Sequence, residues 1–331
     1  MKILVTGGAG FMGSWLVDEL VGRGHNVISV DNLSGGHRRN VNPNCRFVKM
    51  NLMDREKVEK ICEGVDIIFH LASYAAEGQS FFAPIRINEI NITPMNTLLV
   101  AAVNKDVEKI IFTSSMAVYG DQEPPFNESM PRKPVDPYGC AKAYCERMLE
   151  IFSTTYDLKY TIIRPHNVYG PRQNRRDPYR NVLMIWINRI LRRKPPLIYG
   201  DGDQIRAFSY VEDVTPALAN AASADNTHGE IINLGSDEVV TIREACQTVL
   251  EAMKSKLEPI HVERRPGEVK RAYCTVDKSI KLLDYQNKYT LRKGIKKTAS
   301  WTKKVGPMEP NYTIPLEIHK KVPKVWKEKL I

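Results

Sequence analysis

The chain begins with an apolar β-branched run, Lys2-Ile3-Leu4-Val5, that passes almost at once into Gly7-Gly8-Ala9-Gly10-Phe11-Met12-Gly13 and then an amphipathic stretch reaching about Arg23. Strand, tight glycine turn and helix in that order form the opening unit of a parallel sheet, because a parallel neighbour can be reached only after a crossover. The next β-branched run, Asn26 to Val30, follows the helix as that rule demands. The rhythm then repeats. Further strand-like runs lie at Arg46 to Lys49, Asp66 to His70, Lys109 to Thr113 and Tyr160 to Ile163, separated by helical stretches near Asp54 to Cys62, Asn91 to Asn104 and Pro137 to Tyr156. Short, nearly continuous apolar strands alternating with helices predict an α/β fold, a Rossmann-type doubly wound parallel sheet covered on both faces.

After Arg164 the texture changes to loops dense in Pro, Asn and Arg, a helix-like run to about Arg193, and the turn-rich Gly200-Asp201-Gly202-Asp203. With 331 residues the chain exceeds one ordinary core, at about 150 residues per domain. The expected division is a nucleotide-binding domain over 1–165, completed by about 207–233, and a smaller mixed α/β domain from 166–206 and 234–331. A hydrophobic fraction of 43% supports a real core, and no apolar run approaches the ~18 residues of a membrane span. Six cysteines lack any C-x-x-C pair or zinc spacing, so buried reduced thiols, a cytoplasmic protein and no metal are expected. The net charge of +10 is concentrated at the end, with eleven Lys/Arg against three acids from Leu291 onward. Nucleic acid or a membrane surface would be attracted by such a tail. Without an aromatic-rich RNA motif or a DNA-reading helix beside it, a solvated surface is the better reading, with neither partner expected.

The glycine loop has chemistry of its own. Gly8-x-Gly10-x-x-Gly13 between strand and helix lets the backbone approach a pyrophosphate at the positive helix N-terminus. Asp31, about 20 residues on, suits the hydroxyls of an adenosine ribose and repels a 2′-phosphate, so NAD is expected over NADP. Ser115 follows the fifth strand, where residues face the ligand crevice of a parallel sheet. Tyr138 and Lys142 stand four residues apart, on one face of a helix, and a fixed cation close to a phenol favours phenolate. The spacing alone is weak, since Tyr289 and Lys293 repeat it in a stretch with no other chemical signal.

Taken together, Thr6-Gly7-x-x-Gly10-x-x-Gly13, the Ser115/Tyr138/Lys142 set, Arg164-x-x-Asn167-Val168-Tyr169-Gly170-Pro171-Arg172, Gly200-x-Gly202-x-x-x-Arg206 and Arg265-Pro266-Gly267-Glu268 resemble the extended short-chain dehydrogenase/reductases that act on nucleotide-diphosphate sugars. Within them the chain is most similar to the UDP-glucose and UDP-N-acetylglucosamine 4-epimerases, over Met1 to about Leu283. The resemblance implies catalysis by Ser115, Tyr138 and Lys142. It implies NAD contacts from Gly7, Gly10, Phe11, Met12, Gly13, Asp31, Asn32, Asn51, Leu52, Leu71, Ala72, Asn91, Tyr138, Lys142 and Pro165. It sets Ser115, Asn167, Asn181, Val182, Tyr199, Arg206, Arg265 and Glu268 around a UDP-sugar, and implies a homodimer. The implied reaction removes a hydride from C4 of the sugar and returns it to the other face. Related dehydratases and decarboxylases place acids just after the catalytic serine or threonine, where this chain has Met116 and Ala117, so elimination is disfavoured. Ala272 falls where relatives restricted to glucose and galactose carry a large aromatic gate, so N-acetyl sugars are expected to fit, unless Tyr273 fills the space. Glu77 is an unusual charge in the loop expected beside the sugar. His166 reads as a packed rather than a catalytic histidine.

Overall fold

The computed structural model describes residues 1–312 and 314–331. Strand β1 (Lys2–Thr6) leads through the glycine turn into α1 (Phe11–Gly22) and β2 (Asn26–Asp31), followed by β3 (Arg46–Lys49), α2 (Arg55–Ile61) and β4 (Ile67–His70). A one-turn helix α3 (Glu77–Ser80) precedes the long α4 (Pro84–Asn104); β5 (Lys109–Thr113), α5 (Pro137–Tyr156) and β6 (Lys159–Pro165) complete this half. The chain then leaves the sheet for β7 (Val168–Tyr169), α6 (Val182–Leu191), β8 (Leu197–Tyr199), β9 (Ile205–Ala207) and β10 (Ser209–Tyr210), and returns to it through α7 (Val211–Asn220) and β11 (Glu230–Leu234). Seven parallel strands in the order β11-β6-β5-β4-β1-β2-β3 form the doubly wound sheet.

Alternation along the strands builds two cores from one sequence pattern. Leu4, Ile68, Ile110, Phe112 and Ile162 face α2, α4 and α5, where Val58, Leu98, Leu99, Cys145 and Leu149 bury against them. Ile3, Val5, Phe69, Ile111 and Ile163 face the other way, onto Leu16, Val17 and Leu20 of α1 and Val214 and Leu218 of α7.

The remaining chain comprises β12 (Val239–Thr241), α8 (Ile242–Met253), β13 (Ile260–Val262), β14 (Arg271–Ala272), α9 (Asp277–Leu283), α10 (Leu291–Val305) and α11 (Lys324–Lys327). A third core joins α6, α8 and α10 through Trp186, Ile187, Val249, Leu250, Ile295 and Ala299. Small ribbons complete the unit: β12 pairs antiparallel with β9, which pairs parallel with β14, and β13 pairs with β8.

Two local differences from the sequence pattern have tertiary causes. The helix expected from Asn91 starts two turns earlier, at Pro84, because the Glu317 carboxylate accepts the N–H groups of Ile85 and Arg86, both at 2.9 Å. That cap comes from more than 200 residues away. The Tyr289/Lys293 repeat dissolves: Thr290 caps α10, so Tyr289 lies outside the helix, donates to Glu212 (2.8 Å) and accepts from Lys297 rather than Lys293.

The basic C-terminus forms a strap. Its Glu317 and Ile318 N–H groups donate to the Phe82 carbonyl, at 2.6 and 3.0 Å, and Arg189 donates to the Leu330 carbonyl. Val325, Trp326 and Ile331 are buried against Phe82, Tyr179 and Leu197, while the Trp326 indole N–H donates to the Tyr199 hydroxyl at 2.7 Å. Because this cluster is separate from the sheet cores, Trp326→Ala should open the strap alone. Loss of a buried indole costs about 3–5 kcal/mol, so hydrogen exchange at the Ile318 and Leu330 amides is expected to quicken at least about a hundredfold while Ile111 keeps its protection. A uniform loss across the sheet would contradict a separately held strap.

Candidate active site

The C-terminal ends of β1, β2, β4, β5 and β6 open into a cleft of about 730 Å³ that continues beneath the ribbons and the strap. On one side lie Gly7, Gly10, Phe11, Met12, Gly13, Asp31, Asn32, Asn51, Leu52, Leu71, Ala72 and Pro165. The glycines are needed for space as well as for conformation. Gly7 has φ +70°, and a Cβ on Gly13 would sit 2.1 Å from the Gly7 carbonyl oxygen, so α1 can begin hard against the turn only with glycine there. Asp31 ends β2 and accepts from the Ala9 and Leu33 N–H groups at 3.1 and 2.7 Å; burial nevertheless raises its pKa.

Ser115, Tyr138 and Lys142 converge on the far wall. Ser115 follows β5 and caps the 3-10 turn at Met116–Tyr119, its hydroxyl oxygen accepting from the Ala117 N–H at 3.1 Å. Tyr138 and Lys142 lie in the first two turns of α5, which starts sharply because Pro137 occupies the first helical position and the Asp136 carboxylate accepts from the Gly139 N–H at 2.8 Å. The expected lowering of the phenol does not appear in this structure. Burial pushes the Tyr138 pKa up and the Glu77 carboxylate pushes it further, while Ser115 and Ser73 hydroxyls pull the other way. Lys142 does not offset this: its own pKa is lowered to about 8 by burial, and its ammonium donates to the Thr113 carbonyl at 2.8 Å, 5.8 Å from the centre of the Tyr138 ring.

Across the cleft, Arg206 on β9 and Arg265 beyond β13 line the wall with Asn167, Asn181, Val182, Tyr199 and Glu268. Arg265 stacks on the Tyr199 ring at 4.6 Å and pairs with Glu268 at 2.9 Å, so the strap's hold on Tyr199 extends to a cleft cation. Arg206 is held by the carbonyls of Ile205 and Val269 at 2.8 and 2.7 Å. Asn167 and Asn181 both take positive φ, 43° and 64°, and Asn181 is the residue from which α6 starts. Two guanidinium groups on one wall have the chemistry that suits a diphosphate.

A family profile described as NAD dependent epimerase/dehydratase matches residues 3–235. A putative UDP-glucose 4-epimerase of Methanocaldococcus jannaschii is 35% identical over 304 residues, 91% of this chain and 98% of that protein. Among solved structures, the UDP-glucose 4-epimerase of Thermotoga maritima with UDP-glucose has a TM-score of 0.86 and 36% identity, covering 92% of this chain and 99% of that one. The UDP-N-acetylglucosamine 4-epimerase of Methanobrevibacter ruminantium, in complex with UDP-N-acetylmuramic acid, has a TM-score of 0.86 and 34% identity, covering 92% and 98%. The chain belongs to the NAD-dependent epimerase/dehydratase family. It is an extended short-chain dehydrogenase/reductase, and its glycine cradle, closed to any Cβ at Gly13 and flanked by Asp31, fits the family's dinucleotide.

The cleft gathers the residues that the family resemblance implied, with one exception. Asn91 does not line it; its buried amide accepts from the Ser73 hydroxyl (2.7 Å) and the Tyr74 N–H (3.1 Å) and donates to the Ile87 carbonyl (2.8 Å), shaping the loop that does. His166 is fully buried, one ring nitrogen 2.8 Å from the Ser236 carbonyl oxygen, which fits a packed residue. Arg180 was not foreseen: it reaches the cleft over the Tyr74 ring at 4.4 Å and pairs with Asp177 at 2.6 Å, its only sequence signal being the Arg-dense loop before α6. Ile314, Pro315 and Ile331 of the strap also line the cleft. Among the described residues, no group of three or more metal-ligating side chains is found, and no helix is long and apolar enough to cross a membrane.

Glu77 and Asp136 give this wall a measurable pH signature. Burial and the neighbouring Glu77 raise Asp136 to about 7. Between about pH 4, its ordinary range, and about 7, the folded state therefore holds a proton that the unfolded chain releases, so the contribution to stability is full in acid and is lost as pH rises through 7. Asp136→Asn retains a capping side chain and removes the titration. Its urea midpoint should rise relative to the parent's on going from pH 5 to pH 8, and a difference independent of pH would contradict the raised carboxyl.

Proposed function

We propose that the protein is an NAD-dependent UDP-sugar 4-epimerase, an isomerase acting on UDP-glucose/UDP-galactose and also on UDP-N-acetylglucosamine/UDP-N-acetylgalactosamine. The observation that carries this reading is the placing of Ser115, Tyr138 and Lys142 in one cleft with Arg206 and Arg265, while Met116 and Ala117 supply no acid for elimination. NAD, when bound, supplies a hydride acceptor that later returns the hydride to the other face of a 4-keto sugar, and a positive ring charge that favours phenolate. Tyr138 takes the proton of the sugar's 4-hydroxyl and gives it back, and Ser115 bridges phenol and sugar oxygen. Lys142, fixed by the Thr113 carbonyl, holds positive charge beside the ring. Arg206 and Arg265 grip the diphosphate, leaving the sugar free to turn between the two hydride transfers.

The N-acetyl part rests on Ala272. Its buried methyl lines a small cavity of about 60 Å³ beside the main cleft, with Met116, Ala117 and Phe126. Tyr273 does not line it, its hydroxyl instead accepting from Arg271 at 3.2 Å. Helices α4 and α5 pack together and expose Val100, Tyr144 and Ile151, and a second copy of the chain is the partner this apolar surface fits. Six free cysteines agree with a reducing compartment, the cytoplasm.

Purified protein should interconvert UDP-Glc with UDP-Gal, and UDP-GlcNAc with UDP-GalNAc, with products identified by NMR. Tyr138→Phe is expected to lower kcat by about a thousandfold while NAD binding persists; a fully active variant would refute the proton-transfer role. Ala272→Tyr should lower kcat/KM for the N-acetyl sugars at least about tenfold relative to the plain hexoses, through lost room in the small cavity. Equal effects on both substrate pairs would remove Ala272 from specificity.

A further inference from the structure

Glu77 is the one unusual charge that the reaction does not use. It opens the single-turn helix α3 in the loop after β4, and it lines both the main cleft and the small cavity beside it. Its side chain is exposed to the cleft interior; the surrounding protein pushes its pKa up while Arg206 and Arg265 favour its charged form, and among the described residues no side-chain hydrogen bond or ion pair engages its carboxylate. Its position is framed on both sides. A Cβ on the adjacent Gly78 would lie 3.4 Å from the Arg265 guanidinium and 3.3 Å from the Trp326 ring, so the strap and the diphosphate-binding arginine hold this turn in place. On the other side the Ser80 hydroxyl, one turn along, lies 3.4 Å from Asp136, which caps the helix carrying Tyr138. The Glu77 charge acts on Tyr138 on one side and on Arg206 and Arg265 on the other, which sets it beside the span between them.

Once a diphosphate engages both arginines, their positive charge is matched by the substrate itself. The acids then facing the sugar space are Glu77, Asp136 and Glu268, and Glu268 is paired with Arg265. Sugar hydroxyls can donate to an unpartnered carboxylate that lines the cleft, giving it hydrogen bonds it lacks. An ionised sugar carboxylate offers it no donor and repels its charged form. We propose that Glu77 is a specificity-determining residue that selects UDP-sugars with an uncharged hexose and excludes UDP-hexuronates. This deepens the UDP-sugar epimerase reading and rests on it.

The test compares UDP-Glc, UDP-GlcA and UDP, each titrated calorimetrically into the NAD-loaded parent protein, Glu77→Gln, Glu77→Ala and Glu77→Asp, with NMR following both sugars for turnover. The parent and Glu77→Asp should bind UDP-GlcA at least about tenfold more weakly than UDP-Glc. In Glu77→Gln and Glu77→Ala that ratio should fall towards one, with UDP, which has no sugar, as the reference for an intact diphosphate site. Equal handling of the two sugars by the parent, or a ratio unmoved in both neutral variants, overturns the proposal. If the parent binds UDP-Glc without epimerising it, the catalytic reading fails, yet the binding ratio still decides the role of Glu77. If no UDP compound binds the parent, both fall. A variant that fails to fold is recognised by its UDP titration, and the parent's own ratio still passes or fails the proposal.

Discussion

The site depends on a buried carboxylate that ties the catalytic helix to the sheet. Glu146, fully buried on α5, accepts from the Arg164 guanidinium at 2.9 and 2.6 Å, from the Ser114 hydroxyl at 2.5 Å and from Arg132 at 2.6 Å. Arg164 ends β6, Ser114 follows β5, and both lie beside residues that line the cleft. One side chain thus ties down Tyr138 and Lys142, two turns and one turn away on its own helix, relative to Ser115. Taking such ions out of water is costly, so a pair of this kind persists only where its hydrogen bonds are nearly complete. Here the carboxylate oxygens are shared among three partners, and Arg164 also lies over the Tyr119 ring at 4.6 Å. Geometry at the reacting atoms is set by this hidden network and not by the catalytic residues themselves.

The same burial that makes the network rigid acts against the acid–base pair. Desolvation raises the Tyr138 phenol and lowers the Lys142 ammonium, each toward its neutral form. The sequence supports the argument that a cation four residues along favours phenolate, but it does not reveal that both groups lose water together or that Glu77 adds an opposing charge. Spacing fixes which groups meet; their solvation decides which protonation state is favoured. A positive dinucleotide bound beside the phenol would act in the opposite direction, toward phenolate.

Where local pattern determines structure, the chain was readable. The parallel sheet follows from short, nearly continuous apolar strands separated by helices, and Gly7, Gly13 and Asp31 fall into place because their constraint is short-range. The features that escaped reading are made by distant chain. Residues Val325, Trp326 and Ile331 carry no helical or strand period; they are ordered by Phe82, Tyr179 and Leu197, far away in sequence. The first turns of α4 depend on Glu317, and α3 has a single turn, too short for any period to register. The basic composition of the tail suggested only a solvated surface, because charge density says nothing about the few apolar residues that anchor it.

In the proposed reading, that anchoring lets one cleft hold a nucleotide firmly and leave a sugar room to turn. The arginine wall is braced from behind: Trp326 holds Tyr199, Tyr199 lies against Arg265, and Arg206 is pinned to the carbonyls of its own ribbon. On the same reading the sugar side is built differently, from Ala75, Met116 and Ala117 with the small cavity at Ala272, and apart from Glu77 little reaches in to grip a ring. Holding rotamer-rich arginines in their binding geometry before a ligand arrives lowers the ordering cost of recognition. The sparsely furnished side keeps few contacts that a turning sugar would have to break. Rigidity is therefore concentrated where the substrate must not move, and it reaches that wall partly through a strap fastened outside the sheet cores.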